Sequence, residues 1–151
     1  MPHADAMSDP SSNDAFELAA QLRPAILRLN RLLRRETQAF GVSPLTIMLL
    51  ATIDKEPGIG VNDLAHRENM RAPTMSKHIK QLEEAGLVRR DLTLHADKRR
   101  VGLAITPQGR KLVADVRKRR TDWLAGRIAK LEPESRAALG AAVDALRRLG
   151  E

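Results

Sequence analysis

The stretch RAPTMSKHIKQLEEAGLVRRDLTLHADKRR, residues 71–100, decides the fold of this chain. A proline near its start and Gly86 further on are the usual limits of a short helix. Residues 87–92 and 101–106 are rich in β-branched and aliphatic side chains and flank a polar loop, residues 95–99, as in a β-hairpin. The stretch holds eight basic and four acidic side chains, so it carries +4 of the chain's net charge of +7. A basic helix followed by a basic hairpin predicts a winged helix-turn-helix with double-stranded DNA as its partner.

Two short helices, residues 61–68 and 72–85, form the predicted helix-turn-helix, and Asn69 and Met70 form its turn. A major groove accepts one α-helix, and the first turns of that helix reach the base edges. We therefore expect base or near-base contacts from Arg71, Thr74, Ser76 and Lys77, an apolar contact from Pro73, and a phosphate contact from Lys80. The other face of the helix, with Met75, Ile79 and Leu82, is expected in the core.

The hairpin tip, which includes Asp97, Lys98 and Arg99, is the predicted wing and the second part of the DNA-binding surface. An arginine on such a tip can enter a narrow minor groove, where the negative potential is enhanced. We assign that role to Arg99. A carboxylate two residues away can hold a guanidinium by a bidentate pair, so Asp97 is predicted to orient Arg99.

Simpler interpretations compete with each assignment. A single basic side chain is most often only solvated, and residues 117–120 on a later helix fit that description. For Thr74 and Ser76, capping of the helix end is an equally good explanation.

Helical periodicity predicts long helices on either side of this lobe. Residues 15–39 form a first amphipathic helix, with a capping box at Asp14 and Glu17 and a bend or restart near residue 23 caused by Pro24. Ser43 and a following proline begin a helix over residues 44–55, and Ile59 forms a very short strand. Thr106 and a following proline begin a fifth helix, with Leu112, Val116, Trp123, Leu124, Ile128 and Leu131 as packing positions, and a last helix covers residues 134–149.

Composition excludes several classes of function. At 151 residues the chain is the size of one domain, and its 42% hydrophobic content is that of a globular protein. It has no cysteine, which excludes disulfides and thiol chemistry, and its 2% aromatic content leaves little for stacking on single-stranded nucleic acid. No apolar run approaches the roughly 18 residues of a membrane span, and no secretory signal is evident, so the cytoplasm is the expected location. The four histidines lack metal-ligand spacing and no catalytic constellation is present, so we expect no cofactor, no metal and no enzyme.

The sequence resembles the MarR family, the multiple antibiotic resistance type of winged helix-turn-helix transcriptional regulators. VNDLAHRENMRAPTMSKHIKQLEEAGLVRRD, residues 61–91, has the family's order of LA, a turn, T-x-S-(K/R) and L-E-x-x-G-L-V-x-R. ADKRRVGLAITPQGR, residues 96–110, resembles the D-x-R wing followed by L-x-(L/I)-T-x-x-G. The match is strong over residues 43–111. The expected fold is therefore mainly α with a small β-hairpin wing, a winged helix-turn-helix lobe flanked by long dimerisation helices.

The resemblance also implies an organisation of the chain. An N-terminal dimerisation helix, 15–42, precedes the DNA-binding lobe, 43–106, and C-terminal dimerisation helices, 107–151, follow it. The small and polar residues 1–14, with two prolines, themselves predict a disordered N-terminal tail. Two chains interlock as a homodimer through an apolar set comprising Leu18, Leu22, Ile26, Leu124, Ile128, Leu139, Val143 and Leu146.

The family further implies a pseudo-palindromic operator, with recognition helices about 34–36 Å apart, and repression that ends when a small lipophilic or aromatic acid enters a cleft between the dimer helices and the lobe. Arg28, Arg31 or Arg67 is expected to meet such an anion. Absence of cysteine excludes the peroxide-sensing branch, and a first helix without tryptophan argues against the urate-binding branch.

Other functions stay open at this stage. A non-specific DNA-coating architectural protein would bind by charge alone. A small enzyme is a further alternative, but the sequence offers no residues for turnover. A module that docks its apolar helices on another protein is the last alternative.

Overall fold

The computed structural model describes residues 10–95, 97 and 99–151. Within them the chain forms α1 (Pro10–Gln38), α2 (Pro44–Lys55), α3 (Val61–Arg67), α4 (Ala72–Glu84), β1 (Val88–Asp91), β2 (Gly102–Ile105), α5 (Pro107–Ile128) and α6 (Pro133–Arg148). The strands pair antiparallel, with Val88 opposite Ile105 and Asp91 opposite Gly102. This arrangement is the predicted one, mainly helical with a single β-hairpin wing.

The first helix begins earlier than predicted. Residues 10–14, expected in a disordered tail, are helical, and residues 1–9 lie outside the described part of the chain. A proline is tolerated in the first turn because its missing N–H would have no intrahelical partner there. Asp14 is thus inside the helix and forms no capping box; instead Asn13 Nδ2 donates to Glu17 Oε1 at 3.4 Å.

Pro24 does not interrupt α1, so the predicted restart near residue 23 is wrong. The proline removes the hydrogen bond to the carbonyl four residues earlier, at Ala20. Since Ala20 is exposed, water can satisfy that carbonyl.

The limits of the lobe's helices follow from local sequence. At the start of α2, Ser43 Oγ accepts from the Thr46 N–H at 3.2 Å. The turn between α3 and α4 has Asn69 at φ 50°. Gly86, with φ 74°, follows the end of α4 in the left-handed conformation that favours glycine. Glu68, predicted in α3, is its C-cap.

Ile59 forms no strand in the described structure, although it pairs with one. The Gly58 N–H donates to the Leu103 carbonyl at 2.8 Å, and the Leu103 N–H donates to the Ile59 carbonyl at 2.9 Å. Gly58 has φ 92°, so the chain turns away before a longer ladder can form. These two bonds attach the wing to the loop before α3.

One hydrophobic core lies under α2, α3, α4 and the hairpin. Its buried members include Leu49, Leu50, Ile53, Leu64, Met75, Ile79, Leu82, Leu103, Ile105 and Val113. The predicted apolar stripe of α4 is therefore confirmed.

α1 packs along α5 through polar contacts. Thr37 is fully buried, and its Oγ1 accepts from Arg120 Nε at 3.1 Å and from Arg120 Nη2. Arg119 Nε donates to Glu36 Oε2 at 2.9 Å. Leu131, predicted as a packing position of α5, lies beyond the end of that helix and is exposed, because α5 already ends at Ile128. No helix in the described residues is long and apolar enough to cross a membrane.

Candidate nucleic-acid interface

The exposed face of α4 carries the predicted groove-facing residues. Arg71 is the N-cap residue, and the exposed set is Arg71, Pro73, Thr74, Ser76, Lys77 and Lys80. Met75 and Ile79, on the other face, are completely buried. The core thus fixes the rotation of the helix and leaves these polar side chains to solvent.

The hydroxyls of Thr74 and Ser76 do not cap the helix. No side-chain hydrogen bond caps α4, and within the described residues neither hydroxyl has a hydrogen-bond partner. Helix capping therefore does not explain the presence of Thr74 and Ser76 at these positions.

Among the described residues, the basic side chains on the exposed face of α4 have no acidic partner. Arg71, Lys77 and Lys80 have no carboxylate within 4.0 Å in the described part of the chain. By contrast, Arg89 Nη1 lies 2.6 Å from Asp91 Oδ2, and Arg90 pairs with Glu83. The helix, more than the strands, offers free cations to a polyanion.

At the wing tip, Asp97 and Arg99 form the predicted bidentate pair. Arg99 Nε donates to Asp97 Oδ1 at 3.2 Å and Nη2 donates to Oδ2 at 3.4 Å, while the Arg99 N–H donates to Oδ1 at 3.0 Å. These bonds, the side-chain bond first, lower the pKa of the Asp97 carboxyl. The Arg99 side chain is 91% exposed, so it is oriented and still accessible. Lys98 lies outside the described residues.

His95 is a wing residue whose role the sequence did not indicate. Its Nδ1 accepts from the Asp97 N–H at 3.0 Å, and its Nε2 lies 3.4 Å from Asp63 Oδ2 on α3. From the sequence, His95 was examined only for metal-ligand spacing. In the described residues no group of three His, Cys, Asp or Glu side chains could hold a metal ion. Its two-residue spacing from Asp97 was the only available signal.

Asp91 fixes the end of β1. Its Oδ1 accepts from the Thr93 hydroxyl at 2.6 Å and from the Thr93 N–H at 2.9 Å, and its Oδ2 accepts from Arg89. The Thr93 hydroxyl first, and then Arg89, lower the pKa of Asp91 to about 2. The carboxylate therefore stays charged at neutral pH and holds the loop that leads into the wing.

The predicted dimerisation residues lie on surfaces that one chain does not cover. Exposed members of the set are Leu18, Ile26, Leu139, Val143 and Leu146, and the partly buried ones are Leu22, Leu124 and Ile128. α6 has no buried residue at all among those that the structure describes.

A cleft of about 550 Å³ lies between α1, α2 and α5. Asn30 and Arg34 line it from α1, Arg120 from α5, and Pro44, Leu45, Ile47, Met48 and Ala51 from α2. Burial, and then the nearby charge of Arg34, lower the pKa of Arg120. An anion placed between the two guanidiniums would relieve that repulsion.

The arginines expected to meet an effector anion, Arg28, Arg31 and Arg67, are not among the residues that line this cleft. Arg67 pairs with Glu56 at another cleft, beside the root of the wing. The sequence did not point to Arg120, because its approach to Arg34 depends on how α5 packs on α1, which no local pattern encodes.

Known proteins resemble this chain in sequence and in fold. The sequence model of the MarR family matches residues 42–101. An uncharacterized HTH-type transcriptional regulator of Mycobacterium bovis is 35% identical over 128 residues, which cover 84% of this chain and 88% of that protein. A Pseudomonas aeruginosa protein of known crystal structure superposes with a TM-score of 0.77 at 33% identity, over 92% of this chain and 97% of the other. A mutant of Staphylococcus aureus MepR, bound to an oligodeoxyribonucleotide, shares the fold with a TM-score of 0.64 at 18% identity, over 89% and 98% of the two chains.

Proposed function

This chain belongs to the MarR family of DNA-binding transcriptional regulators, and from that premise we propose that it acts in the cytoplasm as a homodimeric repressor. The dimer binds a pseudo-palindromic operator. Binding of a small lipophilic or aromatic acid releases the dimer from the operator.

The exposed face of α4 is the observation that carries the proposal. Arg71, Lys77 and Lys80 are free of carboxylate partners in the described structure, on a helix whose opposite face is locked in the core. Such a helix suits a major groove, and Arg99, held by Asp97 on the wing, suits the adjacent minor groove. The oligodeoxyribonucleotide bound to the MepR mutant supports this use of the fold.

The apolar faces of α1 and α6 support a symmetric pair. Large hydrophobic side chains on a helix without a single buried residue are a common mark of a protein–protein contact. A second copy would cover them, because a two-fold interface uses the same patch on both subunits. Each dimer then presents two α4 helices to successive major grooves, about 34–36 Å apart.

The cleft between α1, α2 and α5 is the proposed effector site. Arg34 and Arg120 can receive a carboxylate, and Leu45 and Met48 can receive the apolar part of the same molecule. The cleft joins a helix of the DNA-binding lobe to two of the proposed dimerisation helices. A ligand that fits one arrangement of these helices better than another shifts the spacing of the two lobes.

Selection of bound duplexes from a random pool tests the DNA-binding part. We expect a palindrome, preferred over random duplex by about 10³ or more at physiological salt. Equal affinity for both, with a steep salt dependence, would instead identify a DNA-coating protein.

Single substitutions then test the site. Lys77→Ala and Arg99→Ala should each weaken operator binding about 5- to 150-fold if they contact bases, which is roughly 1–3 kcal/mol. Lys130→Ala removes the same charge from the turn after α5 and is the matched control. Binding that the double variant leaves unchanged would contradict the assignment of α4 and the wing.

A further inference from the structure

We propose that His95 is the positioning residue for Arg99 and acts through Asp97. This inference rests on the proposed function, since Arg99 is the residue that would enter the minor groove. The structure assigns to His95 a place against α3, a carboxylate that favours one tautomer of its ring, and a hydrogen bond that sets the backbone of Asp97.

The contacts of the ring favour one position for its proton. His95 Nδ1 lies 3.0 Å from the Asp97 N–H, which can only donate, and 3.2 Å from the Asp97 carbonyl oxygen, which can only accept, so these two contacts alone fit either tautomer. The carboxylate of Asp63 accepts, and its Oδ2 lies 3.4 Å from Nε2, so it favours the neutral ring with the proton on Nε2 and with Nδ1 accepting from the Asp97 N–H. Asp63, on α3, therefore stabilises the tautomer in which Nδ1 is available to the wing.

Packing holds the ring in this place. The His95 side chain is only 13% exposed. A Cβ at Gly60 would lie 3.3 Å from Nε2, which is tighter than an ordinary contact, so glycine at the N-cap of α3 leaves room for the imidazole. His95 also lines an open cleft of about 620 Å³, whose charged or titratable residues are Glu56, Asp63, His66, Arg67 and His95 itself.

The chain of contacts ends on the exposed guanidinium. With its backbone N–H held by His95, Asp97 directs its carboxylate to Arg99, which donates from its backbone N–H at 3.0 Å, from Nε at 3.2 Å and from Nη2 at 3.4 Å. A free arginine side chain loses rotamer freedom when it binds. Because this order exists before DNA arrives, less is lost on binding, and affinity rises through preorganisation.

Two conservative variants distinguish the contribution of the Nδ1 contact from that of the Nε2 contact. In His95→Asn, Oδ1 takes the place of Nδ1 and can still accept from the Asp97 N–H, but nothing reaches Asp63. In His95→Gln, the amide reaches toward Asp63, but no acceptor faces Asp97. We expect His95→Asn to bind the operator nearly as wild type does, and His95→Gln and His95→Ala to bind about 3- to 10-fold more weakly. His66→Asn, which removes an exposed imidazole from the same cleft, should change nothing.

A double-mutant cycle identifies the route. In an Arg99→Ala background, the loss caused by His95→Gln should disappear, because there is no guanidinium left to position. If the loss persists in that background, or if His95→Asn binds as weakly as His95→Ala, the proposal is overturned.

A measurement without DNA keeps this inference separate from the proposed function. Side-chain ¹⁵N relaxation of Arg99 Nε in the free protein should show an ordered guanidinium in wild type and His95→Asn, and a mobile one in His95→Gln. Equal mobility in all three would contradict the role of His95 whatever the protein binds. Loss of operator preference with this pattern intact would instead contradict the proposed function alone.

Discussion

Asp97 places a negative charge at the tip of the surface that we propose to approach phosphates. If charge alone mattered, removing it would strengthen binding. The three bonds from Arg99 point the other way, because they give the carboxylate a geometric role. The two effects have opposite signs, so one substitution distinguishes them.

We expect Asp97→Asn to weaken operator binding about 3- to 10-fold, although it raises the net charge by one, since a neutral amide cannot hold the guanidinium by two charge-assisted bonds. Titration by fluorescence anisotropy measures the change. Glu84→Gln is the control: it also removes a negative charge, from an exposed α4 residue without a cationic partner in the described structure, and should bind equally or slightly more tightly. Tighter binding by Asp97→Asn would show that charge dominates.

The lowered pKa of Asp97 sets the pH range in which this pair persists. A carboxyl whose pKa is depressed in the folded state keeps its charge, and its pair, above the ordinary value near 3.8, and loses both only as the pH falls through the lowered value. Asp97 therefore contributes no pH dependence to operator binding between about pH 5 and pH 8.

Among the elements, the junction of α4, β2 and α5 depends on one hydroxyl. Thr106 Oγ1 donates to the Gly86 carbonyl at 2.6 Å and accepts from the Gly109 N–H at 3.1 Å. It thus caps α5 and connects the end of α4 to the start of α5. A helix cap with a second partner stabilises more than its own helix.

We expect Thr106→Ala to lower the free energy of unfolding by about 1–2 kcal/mol, because one capping bond is lost and the Gly86 carbonyl loses its partner. Thr106→Ser keeps the hydroxyl and should cost well under half as much. Urea unfolding followed by circular dichroism measures both. A serine variant as unstable as the alanine variant would show that the methyl group, and not the hydroxyl, stabilises the junction.

What the sequence predicts about these elements depends on how local the signal is. Ser43, Thr106 and Gly86 act within a few residues, and the helix ends that they predict agree with the structure. The exposed and buried faces of α4 could be predicted because a helical period fixes which face is apolar. The contact of His95 with Asp63 joins residues 32 apart, and the cleft between Arg34 and Arg120 requires the packing of α1 on α5. This contact and this cleft depend on tertiary packing, which a local sequence pattern does not predict.

At the scale of the whole molecule, the proposed homodimer would cover the apolar side chains that α6 exposes. Val143 lies on the exposed stripe of α6, and Ala141 lies on the opposite side of the same helix, about 200° away. A charge at the first position should be buried in a dimer, and a charge at the second should stay in water.

We expect Val143→Asp to be monomeric by analytical ultracentrifugation and to bind the full operator at least about 100-fold more weakly, because two linked half-sites gain from effective concentration. The lobe should stay folded, since Val143 is not part of its core. Ala141→Asp should remain dimeric and bind normally. A dimeric Val143→Asp protein would contradict the proposed interface on α6.

The proposed effector cleft is lined by α1 and α5, two of the proposed dimerisation helices, and by α2, so we expect ligand and DNA to compete through the proposed dimer. We expect benzoate, a small aromatic carboxylate, to release the operator from wild type, and benzamide, its neutral analogue, to have no effect.

The Arg34→Gln variant should require about 10- to 100-fold more benzoate for release, which corresponds to the loss of one charge-assisted hydrogen bond. Its operator affinity without ligand should stay unchanged. Arg28→Gln removes an arginine from α1 outside the cleft and should respond as wild type does. Transcription in vitro from an operator-bearing template gives the direction of regulation: benzoate should raise it for a repressor. Release by benzamide, or a response lost in Arg28→Gln and kept in Arg34→Gln, would place the effector elsewhere.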